Sequence, residues 1–441
     1  MTLALLGFLT VGLFLSLIVF TRTPVIAALI LVPFVSAMLG GFGGTVATMT
    51  IDGLKVVAPV AVMMTFAILY FGLMIDAGLF EPLIRTLTSL VRHDPVRLCL
   101  VTAALPVLVA LDGDGATTFL ISVTALLPVH QRLRINPLVL PTIVGLAAGV
   151  MNLLPWGGPT ARAMSVLGTD VRQLFVPILP AMLAGICWVF LAAWAIGRRE
   201  RQRLTMAGPE VPAVAAAGPQ RPGTPPGTVS GVFVFNVLLT LSLLTLLFHG
   251  LYAAYVPVPD IPAPLLFMLA FAIGLPVNRR TPAAQQAQLA THASSIVTVA
   301  SMIFAAGVFT GILKGTGMIG AMAKVLAGAV PASAVSSLSH IVAVTGMPLS
   351  LVFTPDAYYF GMLPVFAETA KAVGADPLTI GRAALLGQMT TGFPLSPLTA
   401  STFILIGLSG VSLRDHQRRM FPWAFGTTLV MTLVASLTGV I

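Results

Sequence analysis

Residues 111–120 of this 441-residue chain read LDGDGATTFL and interrupt a stretch otherwise apolar enough to lie in a bilayer. Asp112 and Asp114 stand there among glycines, with Gly115, Thr117 and Thr118 beside them. A charged side chain at membrane depth costs at least ~3 kcal/mol on insertion scales, so such residues mark an ion or substrate path. Glycines break the helix where backbone groups can line a cavity. Carboxylates and hydroxyls are hard oxygen ligands, suited to protons or to Na⁺, Mg²⁺ and Ca²⁺. Asp112 and Asp114 are therefore candidates for cation or proton coupling, and for holding a metal that travels with a substrate. The plainer reading makes them a polar cap on backbone amides.

Three further polar breaks carry similar chemistry. In NLLPWGGPTAR (152–162), Pro155 and Pro159 interrupt an apolar run, and the half-helix that follows turns its N-terminal amides toward the break. Such an end favours anions. Arg162 can add a planar fork for a carboxylate, or pair with a nearby Asp. Asn152, Gly157, Gly158, Thr160 and Arg162 are the candidate contacts here. The second half offers TGMPLS (345–350) leading to TPD (354–356), then TTGFPLSPLT (390–399). Ser350, Thr354, Thr391, Ser396 and Thr399 join the substrate-contact set, and Asp356, the acid of that tip, joins the coupling set. Tyr358 and Tyr359 read as packing residues, and Asp76, Glu368 and Arg382 as span-end side chains that snorkel.

The elements that must position these residues are membrane helices. The chain is 57% hydrophobic and 8% charged, with mean hydropathy +1.00, where a soluble protein carries roughly a quarter charged residues. This composition specifies an all-α polytopic membrane protein. The net charge of +9 sits in short loops with no aromatic-interleaved basic patch, which excludes nucleic acid as the partner and leaves the bilayer. Cys99 and Cys187 form neither a disulfide framework nor a metal-ligand spacing. Residues 3–20 lack a basic leader and read as a retained span.

Apolar spans are expected near 3–20, 24–49, 56–79, 138–168, 173–197, 232–256, 261–277, 293–313, 379–410 and 420–440. Stretches 98–128 and 331–364 have polar, Gly/Pro-containing centres and read as re-entrant hairpins; the alternative is one long kinked span each. With non-crossing hairpins, sixteen basic residues fall on one side: Arg22, Arg85, Arg92, Arg97, Arg132, Arg134, Arg198, Arg199, Arg201, Arg203, Arg221, Arg279, Arg280, Arg414, Arg418 and Arg419. Lys55, Arg172, Lys314, Lys324 and Lys371 fall on the other. That bias makes the first side cytoplasmic and puts both termini outside.

The chain also repeats itself. FGLMIDAGLFEPLIRTL (71–87) parallels TGILKGTGMIGAMAKVL (310–326), ALLPV (125–129) parallels GMLPV (361–365), and NLLPWGGPTARA (152–163) parallels TGFPLSPLTAST (391–402). Five spans and one hairpin per half force the second repeat to be inverted. That architecture belongs to secondary transporters, with the site at the repeat interface. Residues 1–203 form the first repeat, 204–230 a Pro/Gly/Ala-rich cytoplasmic linker, and 231–441 the second.

With these motifs the chain resembles the citrate–metal:proton symporters of the ion transporter superfamily. The matching runs are LDGDGATTFLI (111–121), NLLPWGGPTARA (152–163), FTPDAYYFGMLPV (353–365) and GQMTTGFPLSPLTASTFILIGLSG (387–410). The resemblance implies proton-driven uptake of citrate complexed with a divalent cation, Mg²⁺ or Ca²⁺, across a bacterial inner membrane, with no permanently bound cofactor. Divalent anion:sodium relatives imply an elevator-type homodimer whose hairpin tips carry Asn-Thr motifs for substrate and Na⁺. The positions matching those motifs are Thr117-Thr118 and Thr354-Pro355, without the Asn, a departure that weakens any carry-over of Na⁺ coupling. Alternatives on the same fold are a transporter of another carboxylate or inorganic anion, or a Na⁺/H⁺ antiporter. An intramembrane aspartyl protease would need its two acids on facing spans, and DGDG places both on one tip.

Overall fold

The computed structural model describes residues 2–21, 23–91, 94–206, 231–248, 261–329 and 331–441. It is helical, with no strand among the described residues. The chain opens with α1 (Leu3–Phe20), α2 (Val25–Leu39), α3 (Val46–Asp76) and α4 (Glu81–Ser89). Next come α5 (Pro95–Val109) and α6 (Gly115–Arg132), joined by a tight turn over the DGDG motif, then α7 (Val139–Met151) and α8 (Gly158–Leu167). The half closes with α9 (Val171–Leu174) and α10 (Leu179–Met206). The second half comprises α11 (Gly231–Leu247), α12 (Ala263–Asn278), α13 (Pro282–Gly315), α14 (Met318–Ala329), α15 (Leu338–Leu349) and α16 (Leu363–Ala372). It ends with α17 (Pro377–Leu385), α18 (Ala400–Ser409) and α19 (Leu413–Leu437). Among the described residues, four helical stretches are long and apolar enough to cross a membrane, Val46–Asp76, Val171–Met206, Pro282–Gly315 and Leu413–Leu437, or five if the bent pair Met318–Ala329 and Ala334–Leu349 counts as one span.

Several expected boundaries move. The apolar run 24–49 is not one span, because α2 ends at Leu39 and the glycine-rich turn over 40–44 hands over to α3. Helix α3 then absorbs the expected 56–79 span into 31 continuous residues. The second hairpin region runs on through α16 to Ala372 rather than stopping at 364. Leu204–Met206, assigned to the linker, continue α10. The remainder of that linker and the end of the expected 232–256 span lie outside the described residues.

Helices α3 and α13 form the central packed pair. Gly307, Gly311 and Gly315 repeat every fourth residue on α13 and meet Met49 and Gly53 of α3. A β-carbon at Gly53 would collide with the Gly307 carbonyl, and one at Gly311 would sit 2.7 Å from the Gly53 Cα. Small residues at this spacing let two membrane helices approach backbone to backbone.

Both arms of the first hairpin end beside the same helix terminus. Asp94, which caps α5 through the Val96 amide, receives Arg201 of α10 at 2.6 and 2.7 Å. Arg203 of α10 donates to the carbonyl of Arg134, just past α6, at 2.6 Å. Partial burial pushes the Asp94 carboxyl up, but the Arg201 guanidinium and the Val96 amide outweigh it and hold the group below its ordinary range. On the second side, His340 of α15 lies 2.9 Å from Ser436 near the end of α19, and Arg382 of α17 donates to the carbonyls of Gln173 and Val440. Helices α10 and α19 run antiparallel, with Gly185 against Met431 and Gly426 against Trp188. The arms of the first hairpin and the start of α15 therefore stand at opposite ends of the helical body.

Candidate functional site

The hairpin turn is built around one glycine. Gly113 sits at φ +75°, and a side chain there would run into Trp156, whose ring carbon lies 2.8 Å away. Left-handed backbone and crowding together demand glycine. Asp114 follows as the cap of α6, accepting from the Ala116 and Thr117 amides at 3.2 and 3.0 Å and from the Thr117 hydroxyl at 2.5 Å. The capping role anticipated as the plainer reading is thus real, and Asp114 nonetheless lines a cavity shared with Arg162. The Asp112 side chain lies outside the described part of the structure.

The break between α7 and α8 leans on that turn. Trp156 donates its indole N–H to the Leu111 carbonyl at 2.7 Å and stacks on Phe71 of α3, ring centroids 5.1 Å apart. Helix α8 starts after Gly157 with no side-chain cap, and because Pro159 carries no N–H, Gly158 and Thr160 supply its first amides, at an end whose dipole favours an anion. Arg162, one turn in, donates Nε to Asp356 at 2.7 Å and Nη1 to the Gly158 carbonyl at 3.0 Å. Its guanidinium carbon lies 5.9 Å from the centre of the Phe360 ring. Phe360 belongs to a π-helical turn over Ala357–Met362 that begins right after Asp356. Such turns displace side chains from the regular helical surface and recur at functional sites. The ion pair considered for Arg162 is present, and it joins the two halves of the chain.

These pieces meet at a cavity of about 540 Å³, within the usual ~300–1,000 Å³ of small-molecule sites. Gly113, Asp114, Thr117, Trp156, Gly158 and Arg162 face it from one side. Asp76 of α3 and His292, Ser295 and Thr298 of α13 face it from the other. Two of these the sequence reading misplaced or missed. Asp76, expected to snorkel at a span end, instead accepts from Gln288 at 2.7 Å and lies 3.1 Å from His292 Nε2. His292 drew no attention, although His292, Ser295 and Thr298 fall on one face of an apolar helix at a three-residue spacing, which is a legible signal.

Other predicted contacts have structural work elsewhere. Asn152 donates to the Met389 carbonyl at 2.6 Å, and Ser350 accepts the Met389 amide at 2.9 Å. Met389 holds φ +53°, a conformation that costs a β-carbon-bearing residue about 1–3 kcal/mol and persists only when its surroundings enforce it. Asn152 and Ser350 clasp this kink between α17 and α18. Thr118 and Thr160 donate to the carbonyls of Asp114 and Leu153. Thr354 accepts the Ala357 amide, Ser396 the Leu398 amide, Thr391 meets Thr428, and Thr399 meets Thr402. Gly115 packs on Phe393. Gly157 ends the turn before α8, its amide donating to the Leu154 carbonyl. None of these lines the cavity shared by Asp114 and Arg162. Tyr358 and Tyr359 are fully buried, as packing residues should be, with the Tyr359 hydroxyl on the Gln388 carbonyl. Among the described residues, no three His, Cys, Asp or Glu side chains gather as a metal-ligand group.

Comparison with known proteins places this geometry in a family. The chain is 45% identical over 439 residues to "Citrate transporter" of Bacillus subtilis (strain 168), covering 100% of this chain and 99% of that one. It is 43% identical over 443 residues to "Mg(2+)/citrate complex secondary transporter" of the same organism, with the same coverage. Among solved structures it is similar in fold to the Alcanivorax borkumensis YdaH transporter (TM-score 0.57, 16% identity, 99% and 98% of the two chains covered). The Neisseria gonorrhoeae efflux pump MtrF is a comparable match (TM-score 0.58, 13% identity, 98% and 96% covered). The family model described as "Citrate transporter", CitMHS, matches residues 15–387. The chain is therefore a membrane transporter rather than an enzyme, and it belongs to the CitMHS family.

Proposed function

We propose that the protein takes up citrate as its complex with a divalent cation, Mg²⁺ or Ca²⁺, in symport with protons across a bacterial inner membrane. The observation that carries this reading is the single cavity in which the acidic tip of the first hairpin faces Arg162 and the amide end of α8. A metal–citrate complex presents both signs of charge, its cation to Asp114 and a free carboxylate to α8 and Arg162. Arg162 spends Nε and Nη1 on Asp356 and Gly158 and keeps further donors of its five for a substrate. Asp112 and Asp356 complete the proposed coupling set.

Electrostatics favours the complex over the free ion. Citrate carries three negative charges, and an inside-negative potential opposes each by ~2.3 kcal/mol per 100 mV. One divalent cation leaves a single negative charge, and two co-transported protons would turn the cycle electrogenic in the favourable direction. The recurring order of α3–α8 with α10, and of α13–α19, supports two inverted repeats, as does the placement of the hairpin arms at opposite ends. On that architecture the tightly packed α3–α13 pair serves as the fixed body, and the hairpins with the broken helices as the moving one, in a homodimer. The test is uptake of radiolabelled citrate into proteoliposomes with Mg²⁺, Ca²⁺, Zn²⁺ or chelator, under a pH gradient. Uptake should need a permissive cation and collapse with the gradient; equal uptake in chelator refutes the reading.

A further inference from the structure

Asp76 and His292 project from neighbouring helices into the same cavity as Arg162 and Asp114, and neither is among the substrate contacts proposed above. Their geometry is built. Gln288 fixes the Asp76 carboxylate at 2.7 Å, Arg279 fixes Gln288 at 2.9 Å, and the imidazole Nε2 lies 3.1 Å from Asp76 Oδ2. The ring packs against Gly72, where a β-carbon would collide with Cε1, Nε2 and Nδ1 of the imidazole. An acceptor-only carboxylate on Nε2 keeps the hydrogen there and leaves Nδ1 as the basic nitrogen. Ser295 and Thr298 continue along α13 from His292, and all three line the cavity.

We propose that the His292–Asp76 pair is the exit station for the coupling proton. Nδ1 of His292 takes a proton from the cavity, the Asp76 carboxylate stabilises the resulting imidazolium, and the proton passes on to water. The charged groups around the pair are Asp76 from α3, Arg279 through Gln288, and, across the cavity, Asp114 and the Arg162–Asp356 pair. This assignment rests on the proton-coupled reading above and adds to it the residues that release the proton.

The test separates proton movement from substrate movement. In proteoliposomes, exchange of labelled for unlabelled Mg²⁺–citrate needs no net proton transfer, whereas gradient-driven uptake does. His292→Gln should leave exchange close to wild type and slow driven uptake by about 10²-fold, the scale of a lost proton-transfer group. Gly72→Ala, which displaces the ring from Asp76 without removing a titratable group, should act in the same direction. Added 4-methylimidazole should restore driven uptake in His292→Ala. Wild-type driven uptake in both His292→Gln and Gly72→Ala overturns the proposal. So does an equal loss of exchange and driven uptake in monodisperse variants, because the pair would then serve binding or structure. A pyranine signal showing no proton entry with citrate in the wild type overturns the parent reading instead, independently of any variant.

Discussion

Arg162 is held by two partners from different parts of the chain, so its substitution tests structure and transport at once. Its side chain is 23% exposed and that of Asp356 13%. Removing one member of so sheltered a pair leaves an unpaired charge, at about 3 kcal/mol. Arg162→Gln and Asp356→Asn should each lower thermal stability in detergent, and the double variant should recover part of it. If Arg162 also holds a citrate carboxylate, the double variant stays ~10- to 150-fold weak in apparent affinity, as expected for a lost charge-assisted bond. Recovered affinity would reduce Arg162 to a strut. Asn152→Ala and Ser350→Ala should behave differently, because they unclasp Met389 rather than touch the cavity. Each should lose about 1–3 kcal/mol of stability through an orphaned backbone group, with the ranking of cations in uptake unchanged.

At the scale of elements, the first hairpin depends on Asp114 as a cap and the core depends on glycine contacts between α3 and α13. Asn caps a helix about as well as Asp, whereas Ala costs ~0.5–2 kcal/mol. Asp114→Asn should therefore melt like wild type and lose driven uptake, while Asp114→Ala loses stability as well; full uptake in the Asn variant would confine Asp114 to capping. Gly53→Ala forces a methyl group into the α13 backbone and should cost about 1–3 kcal/mol by overpacking. Gly320→Ala on α14 meets nothing within 4 Å and should leave the melting temperature unchanged. Equal melting of the two would mean that α3 and α13 do not pack this closely.

For the whole molecule, the charge bias and the two hairpin entries make one joint statement about orientation. In a background lacking Cys99 and Cys187, a cysteine at Arg132 and one at Lys371 should react with an impermeant thiol reagent from opposite faces of the membrane. Labelling of both from the same face would break the inverted arrangement. The Asp94–Arg201 contact anchors the first hairpin to α10. Its carboxyl is depressed, so its contribution is present above the ordinary carboxylate range and disappears as pH falls through the lowered value. Acid titration of Asp94→Asn should accordingly lack that part of the wild-type loss.

The bilayer made much of this protein legible from its sequence. Water-free surroundings penalise charge and unpaired backbone, so apolar length and the four Pro/Gly breaks point to a multi-pass helical membrane protein and to its family. The same reasoning singled out Asp112 and Asp114, of which Asp114 caps α6 and lines the cavity. Pattern along the chain could not say which polar groups at those breaks face a cavity and which satisfy one another, because that depends on neighbours 194 to 237 residues away. Asn152 is spent on Met389, Arg162 on Asp356, and Asp76 and His292 become a pair only because α3 and α13 pack through glycine. Local sequence determined where the helices break; the partners that every buried polar group must find were decided by the tertiary structure.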